Sequence, residues 1–225
     1  MEECYRVIVE DLKVAADKLK GVTQPTIYRV NELAARILLS RVYLYMGEWQ
    51  LALDECQKAL NLGNVELMDL NSFPGREENR YILDVENPEI IFTQGYSATN
   101  VFYKNISYFT ICSFSCSEEL ISLYNSFDDQ VIKDLRLNAF FEDNGDEQYR
   151  VSKVGEKVYD CFAIRSVELY LNKAEAEAML DKAEAIQTIK TLLNNRFEGG
   201  IPDIDGLSGK DLVSFIRDER RRELC

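Results

Sequence analysis

The sequence predicts a mainly α fold in which helical hairpins flank a small, irregular, β-containing insert. Three observations carry this expectation. Apolar residues recur at helical spacing over residues 1–62 and again over 161–225. Between them, residues 63–160 lose that period and become rich in Tyr, Phe, Ser, Thr and Asn. Each helical block holds two helices joined by a tight turn, Gly47-Glu48 in the first and Leu180-Asp181 in the second. The three blocks read as parts of one domain, because 225 residues can bury an ordinary core without staples.

In chain order, Ile8, Leu12, Ala15 and Leu19 share a face of an amphipathic helix that ends near Gly21, with Pro25 in the loop beyond. Ala35, Leu38, Leu39, Val42 and Met46 line a helix over residues 32–46, and Trp49, Ala52, Leu53, Cys56 and Leu60 line its partner. Gly47 breaks the first of the pair, and Ala52 and Ala59 are small enough to let the two approach closely. Tyr43, Ala52 and Ala59 keep the spacing of a tetratricopeptide hairpin, with Ser40 and Arg36 where that repeat usually has Gly and a large apolar residue. Trp49 holds an inter-helix packing position and is assigned to the core.

Residues 71–79 are a loop by composition, and Pro88 precedes a short strand over 89–93. Residues 94–116 have no clean period. Ser115, three residues before Glu118, suggests a capping box for a helix over 117–126 striped by Leu120, Leu123, Tyr124 and Phe127. The turn residues Asp143 to Asp146 predict a small hairpin between 137–141 and 149–151. Ile164, Val167, Leu171, Ala174 and Ala178 then share one helical face, and Ile186, Ile189 and Leu193 another, as a second, degenerate hairpin. After the loop 198–202, Ser208 is expected to cap a final helix that runs to about residue 223.

Composition excludes several kinds of chemistry. With 26 basic against 39 acidic residues, the formal charge of −13 repels phosphate backbones and anionic lipid, so nucleic acid is not expected as a partner. The absence of histidine removes Ser-His-Asp and Cys-His catalysis and the usual zinc ligand sets. Of six cysteines only Cys112 and Cys116 are close, with no second pair to complete a metal site, so neither metal nor cofactor is expected. Asp128-Asp129, and Asp143 with Asp146, read as solvated turns rather than the opposed acid and base of a glycosidase, and Gly145 stands third where a calcium loop needs it sixth. Arg165 with Glu168, and Glu219 with Arg222, read as structural i, i+3 ion pairs. Arg217 and Arg220 to Arg222 are interleaved with Asp218, Glu219 and Glu223, so their charge is nearly compensated, as in a charged helix. No apolar run approaches the ~20 residues of a membrane span, and Met1 to Cys4 are acidic where a leader is basic, so the chain reads as soluble without a signal peptide.

Several blocks in fixed order add a further reading. They are Ile8 to Leu12 with Ala15 and Leu19, Ala34 to Leu44 with the Gly47-Glu48-Trp49 turn, Asn87 to Phe92, and Ser117 to Tyr124 leading to Asp134-Leu135-Arg136. Ile164 to Leu171 with Ala174-Glu175-Ala176, and Ile216 to Leu224, complete the set. In these the chain resembles the SusD/RagB family of Bacteroidetes outer-membrane nutrient-binding lipoproteins. The resemblance implies a SusD-like fold and a non-enzymatic cell-surface receptor that captures glycan, or in some cases peptide, for a SusC-type TonB-dependent transporter. It also implies that the chain is trimmed at both ends, without the family's signal peptide and lipid-bearing cysteine, so that membrane association rests on a lipid anchor missing here. Cys4 is not that cysteine, since no apolar leader precedes it. Ligand contacts vary within the family, and none transfers by position.

Neutral sugars are gripped by aromatic faces on their C–H-rich side and by polar groups at the rim. Tyr96, Asn100, Tyr103 and Tyr108 have that chemistry and are the ligand-binding candidates. The same aromatics would also serve to pack a strand onto the helical layer. The alternative function is an intracellular tetratricopeptide-type adaptor that holds a peptide or protein partner in the groove of its hairpins. A signal peptide and lipidation cysteine upstream in the gene would favour the receptor.

Overall fold

The computed structural model describes residues 2–63, 65–75, 78, 80–94, 116–127, 131–143, 149–153 and 162–225. Its helices are α1 (Glu2–Lys18), α2 (Glu32–Met46), α3 (Trp49–Asn61), α4 (Glu118–Asn125), α5 (Arg136–Phe140), α6 (Ser166–Met179), α7 (Glu184–Leu193) and α8 (Gly209–Leu224). The strands are β1 (Ile90–Gln94), β2 (Lys133–Asp134), β3 (Phe141–Asp143), β4 (Tyr149–Val151), β5 (Phe162–Arg165) and β6 (Phe197–Glu198). They pair antiparallel as β1–β5, β2–β6 and β3–β4, each a two-stranded sheet.

The first hairpin forms as its sequence dictates. Asn31 opens α2 by accepting the Ala34 N–H on its side-chain oxygen at 2.8 Å. Gly47 closes it at φ 77°, where the Gly47 N–H reaches Leu44 O at 3.0 Å and the Glu48 N–H reaches Tyr43 O at 2.9 Å. Ala52 and Ala59 are fully buried, so α2 and α3 meet closely. Ser40 stays buried because its hydroxyl donates to Ile37 O at 2.7 Å and accepts from Asn172 at 2.8 Å. Trp49 is half-buried and packs with Tyr43, Leu44 and Ala52, in the position expected of it.

The second hairpin repeats this turn with different chemistry. Asp181 takes φ 54°, donates its N–H to Ala178 O at 3.1 Å, and is followed by Lys182 N–H to Glu177 O at 2.9 Å. These are the same two bonds that Gly47 and Glu48 make, so Asp181 occupies the left-handed position that glycine fills in the first turn.

α6 is the centre of the molecule, packed against α2, α3, α7 and α8. Its Val167, Leu171, Ala174 and Ala178 join Ile189, Leu192 and Ile216 in the largest apolar cluster, while Leu169 and Ala176 enter the clusters of the first hairpin. A third contact region, around Tyr124, Phe140 and Phe141, holds α4, α5 and β3 together.

Several local expectations are corrected. α1 turns Val9 and Ala16 inward; of the row read, Leu12, Ala15 and Leu19 are partly buried and Ile8 is 42% exposed. Met46 lies exposed in the last turn of α2, while Leu33, Ala34, Ile37 and Tyr43 are buried, since α2 has neighbours on several sides. Ser117, not Ser115, caps α4 by accepting the Leu120 N–H; Ser115 lies outside the described residues. Arg136 to Phe140 are helical where the hairpin reading expected extended chain from residue 137, because Asp134 caps the Arg136 N–H at 3.0 Å and starts a helical turn. Ser208 stands before α8 but makes no side-chain cap; its carbonyl instead accepts from Asp211 and Leu212.

Candidate functional site

The final helix was read as a charged helix with its local charge nearly compensated, and the structure turns part of that charge inward: Glu219 and Glu223 are completely buried and Arg222 nearly so. They are drawn inward by three arginines that arrive from different parts of the chain. Arg136 of α5 donates to Asp134 at 2.7 Å and to Glu219 at 2.6 Å. Arg196, in the turn after α7, donates to Glu223 at 2.5 Å and to Glu89 at 2.6 Å. Arg165, at the end of β5, donates to Glu89 at 3.0 Å and to the Glu223 carbonyl at 2.8 Å. With Arg222 on Glu219, four guanidiniums meet four carboxylates. Burial alone would raise the Glu223 pKa, but Arg196, Arg136 and Arg165 reverse this and hold it at about 2. A buried network in which four guanidiniums meet four carboxylates is chiefly structural, and of its members Arg165 also borders a cavity.

At its edge the network borders a cavity of about 300 Å³ between α2, β5, α6 and α8. α2 supplies Arg41 and Tyr45, β5 supplies Ala163 and Arg165, α6 supplies Glu168, and α8 supplies Arg220 and Leu224. Both oxygens of Glu168 are taken by Arg41, through Nε at 2.5 Å and Nη2 at 2.6 Å. These bonds, against partial burial, raise the Arg41 pKa above its ordinary value. Arg165 therefore does not pair with Glu168 as the i, i+3 spacing suggested; it turns inward to Glu89, and Arg41 arrives from α2 instead. Glu219 and Arg222 do pair as read. On the opposite wall Arg220 sets Nε 3.1 Å and Nη2 3.0 Å from Glu175 Oε2, and Arg217 shares the same carboxylate through Oε1. The Nη2 of Arg220 is buried outside hydrogen-bond geometry. Tyr45 stands 72% exposed beside Arg41. The arrangement can hold a polar ligand by directed N–H donors and one aromatic face.

The four aromatic and amide candidates, Tyr96, Asn100, Tyr103 and Tyr108, lie outside the described residues, as do Cys112, Asp128-Asp129 and most of the 143–147 turn. Sequence reading did not single out Arg41 or Arg220. The signal was present in α2, where Arg36 and Arg41 interrupt an apolar helix; Arg36 proves to pair with Glu32 at 2.6 Å and Glu55 at 2.8 Å. Among the described residues no cluster of three or more His, Cys, Asp or Glu could hold a metal ion. Cys56 is fully buried, and that burial pushes its thiol up to about 12, so it is a packing residue rather than a nucleophile. Among those residues, too, no helix is long and apolar enough to cross a membrane.

No family model matches the chain, and no curated protein does either. Solved structures do. A SusD-like carbohydrate binding protein of Bacteroides vulgatus superposes with a TM-score of 0.75 at 24% identity, over 99% of this chain and 48% of its own. A SusD-like protein of Bacteroides fragilis gives 0.75 at 22%, over 100% and 58%. Another Bacteroides vulgatus protein gives 0.73 at 28% identity, over 99% and 50%. The chain thus spans about half the length of the structures it matches. Over that half, its helical hairpins, central helix and final helix are arranged as in those proteins, and in fold this chain is SusD-like.

Proposed function

We propose that the chain is part of a cell-surface receptor that binds glycan without altering it and passes it to a SusC-type TonB-dependent transporter in the outer membrane. The observation that carries this reading is the SusD-like fold, shared over 99% of the chain with a protein described as carbohydrate binding. A lipid anchor would hold the receptor at the membrane. Composition agrees: the chain lacks histidine, and among the described residues the one carboxylate that lines the cavity, Glu168, is held by Arg41. Tyr96, Asn100, Tyr103 and Tyr108 are proposed as sugar contacts. A peptide-binding adaptor is the second reading, favoured by the apolar side chains of Tyr45, Met46 and Leu51 exposed on the first hairpin.

Calorimetric titration with soluble oligosaccharides tests this. Binding is expected, and Tyr96→Ala and Tyr103→Ala should each weaken it about tenfold through loss of a stacking face. Failure of every glycan to bind, with an extended peptide binding instead, would shift the function to the adaptor.

A further inference from the structure

We infer that the cavity between α2, β5, α6 and α8 is a site for a carboxylate-bearing saccharide, gripped by Arg41 and Arg220 and covered by Tyr45. The saccharide part rests on the glycan-binding reading above; the carboxylate part rests on the cavity alone. Three features of the walls point to an anion. Among the described residues Glu168 is the one carboxylate lining the cavity, and Arg41 occupies both its oxygens, so it presents little free charge. Arg220 shares the carboxylate of Glu175 with Arg217, so two guanidiniums stand against one carboxylate beside that wall. Arg41 commits Nε and Nη2 to Glu168, whereas Arg220 bonds Glu175 through Nε alone and keeps its Nη2 buried outside hydrogen-bond geometry, so Nη1 of Arg41 and Nη2 of Arg220 are without a hydrogen-bond acceptor among the described residues. Two such donors bordering one cavity suit a carboxylate, which accepts on two oxygens, better than a neutral hydroxyl rim.

The floor reinforces this. Arg165 is buried and fixed by Glu89 and the Glu223 carbonyl, so the base of the cavity is rigid. Tyr45 supplies an exposed ring where the C–H face of a pyranose would lie, and Ala163 and Leu224 keep the remaining wall apolar. In a chain of net charge −13, a local positive surplus of this kind selects an anion at short range against repulsion at long range.

The test is calorimetric titration of the chain with trigalacturonic acid, its fully methyl-esterified form and acetate. The acid should bind at least about tenfold more tightly than the ester, and raising the salt should weaken only the acid. Arg220→Lys should remove most of that preference. Tyr45→Ala changes an exposed ring and leaves the fold intact, and it should weaken the acid about tenfold while leaving acetate unaffected. Thermal unfolding of each variant checks folding. Equal binding of acid and ester, unchanged in Arg220→Lys and Tyr45→Ala, would overturn the carboxylate site while the glycan reading stands. Acetate binding as tightly as the trisaccharide would overturn the saccharide part. No binding by any of the three, at concentrations where neutral oligosaccharides bind, would overturn the proposal while the receptor reading survives; no binding of any glycan would remove both.

Discussion

Gly47 and Gly199 both adopt positive φ, at 77° and 80°, yet a methyl group meets different surroundings at the two. At Gly47 an added Cβ touches only the Trp49 ring at 3.7 Å, an ordinary contact. Gly47→Ala should therefore cost only the left-handed backbone, about 1 kcal/mol. At Gly199 the same atom would fall on the Val131 carbonyl, which is backbone and has nowhere to go. Gly199→Ala should cost about 3 kcal/mol, read as a lower urea midpoint at unchanged slope. Equal losses at the two would mean that φ, not the carbonyl, sets the cost. Asp181 gives the opposite sign: at φ 54°, Asp181→Gly relieves the same strain and should raise stability by about 0.5 kcal/mol after the entropy of the extra glycine is counted.

The hairpins were legible because their turns and small residues are local. Residues 32–46 were read as one helix and form one, and Gly47 ends it. Which side faces inward was less legible, because α2 and α6 have neighbours all round and their apolar residues no longer mark one stripe. In α8 only the local Glu219–Arg222 pair was legible: Glu219 and Glu223 also meet arginines 27 to 87 residues away, which no local window contains. The cavity was illegible for the same reason, since Arg41, Arg165 and Arg220 converge only in three dimensions. The close contact of α2 with α3 makes a clear test at this scale. Ala59 is fully buried between them, so Ala59→Leu should overpack the seam and lower stability by about 1–3 kcal/mol, measured by chemical denaturation.

Across the whole molecule the buried ion network dominates the response to pH. The folded state holds the Glu223 carboxyl at about 2, below its ordinary 4.5. Its contribution is therefore complete above about pH 4.5 and is lost as pH falls toward 2, because the unfolded chain binds the proton first. Glu223→Gln should be less stable than the parent at pH 7, with the gap closing across that acid window in urea melts taken at several pH values. A gap that does not change with pH would assign the loss to packing rather than charge. Arg136→Met leaves Asp134 and Glu219 buried opposite an apolar group and should cost about 3–5 kcal/mol, the most damaging of these changes.

The position of Glu223 also bears on the order in which the protein can fold. Its carboxylate accepts from Arg136 and Arg196 and its carbonyl from Arg165, and all three arginines leave the ribosome earlier. Until α8 emerges, those three cations have no complete set of partners and stay hydrated, so the first hairpin can form during synthesis while the centre waits. The last helix then acts as a latch: a nascent chain stalled before residue 209 should remain protease-sensitive from about residue 131 onward, and release of α8 should protect the centre in a single step.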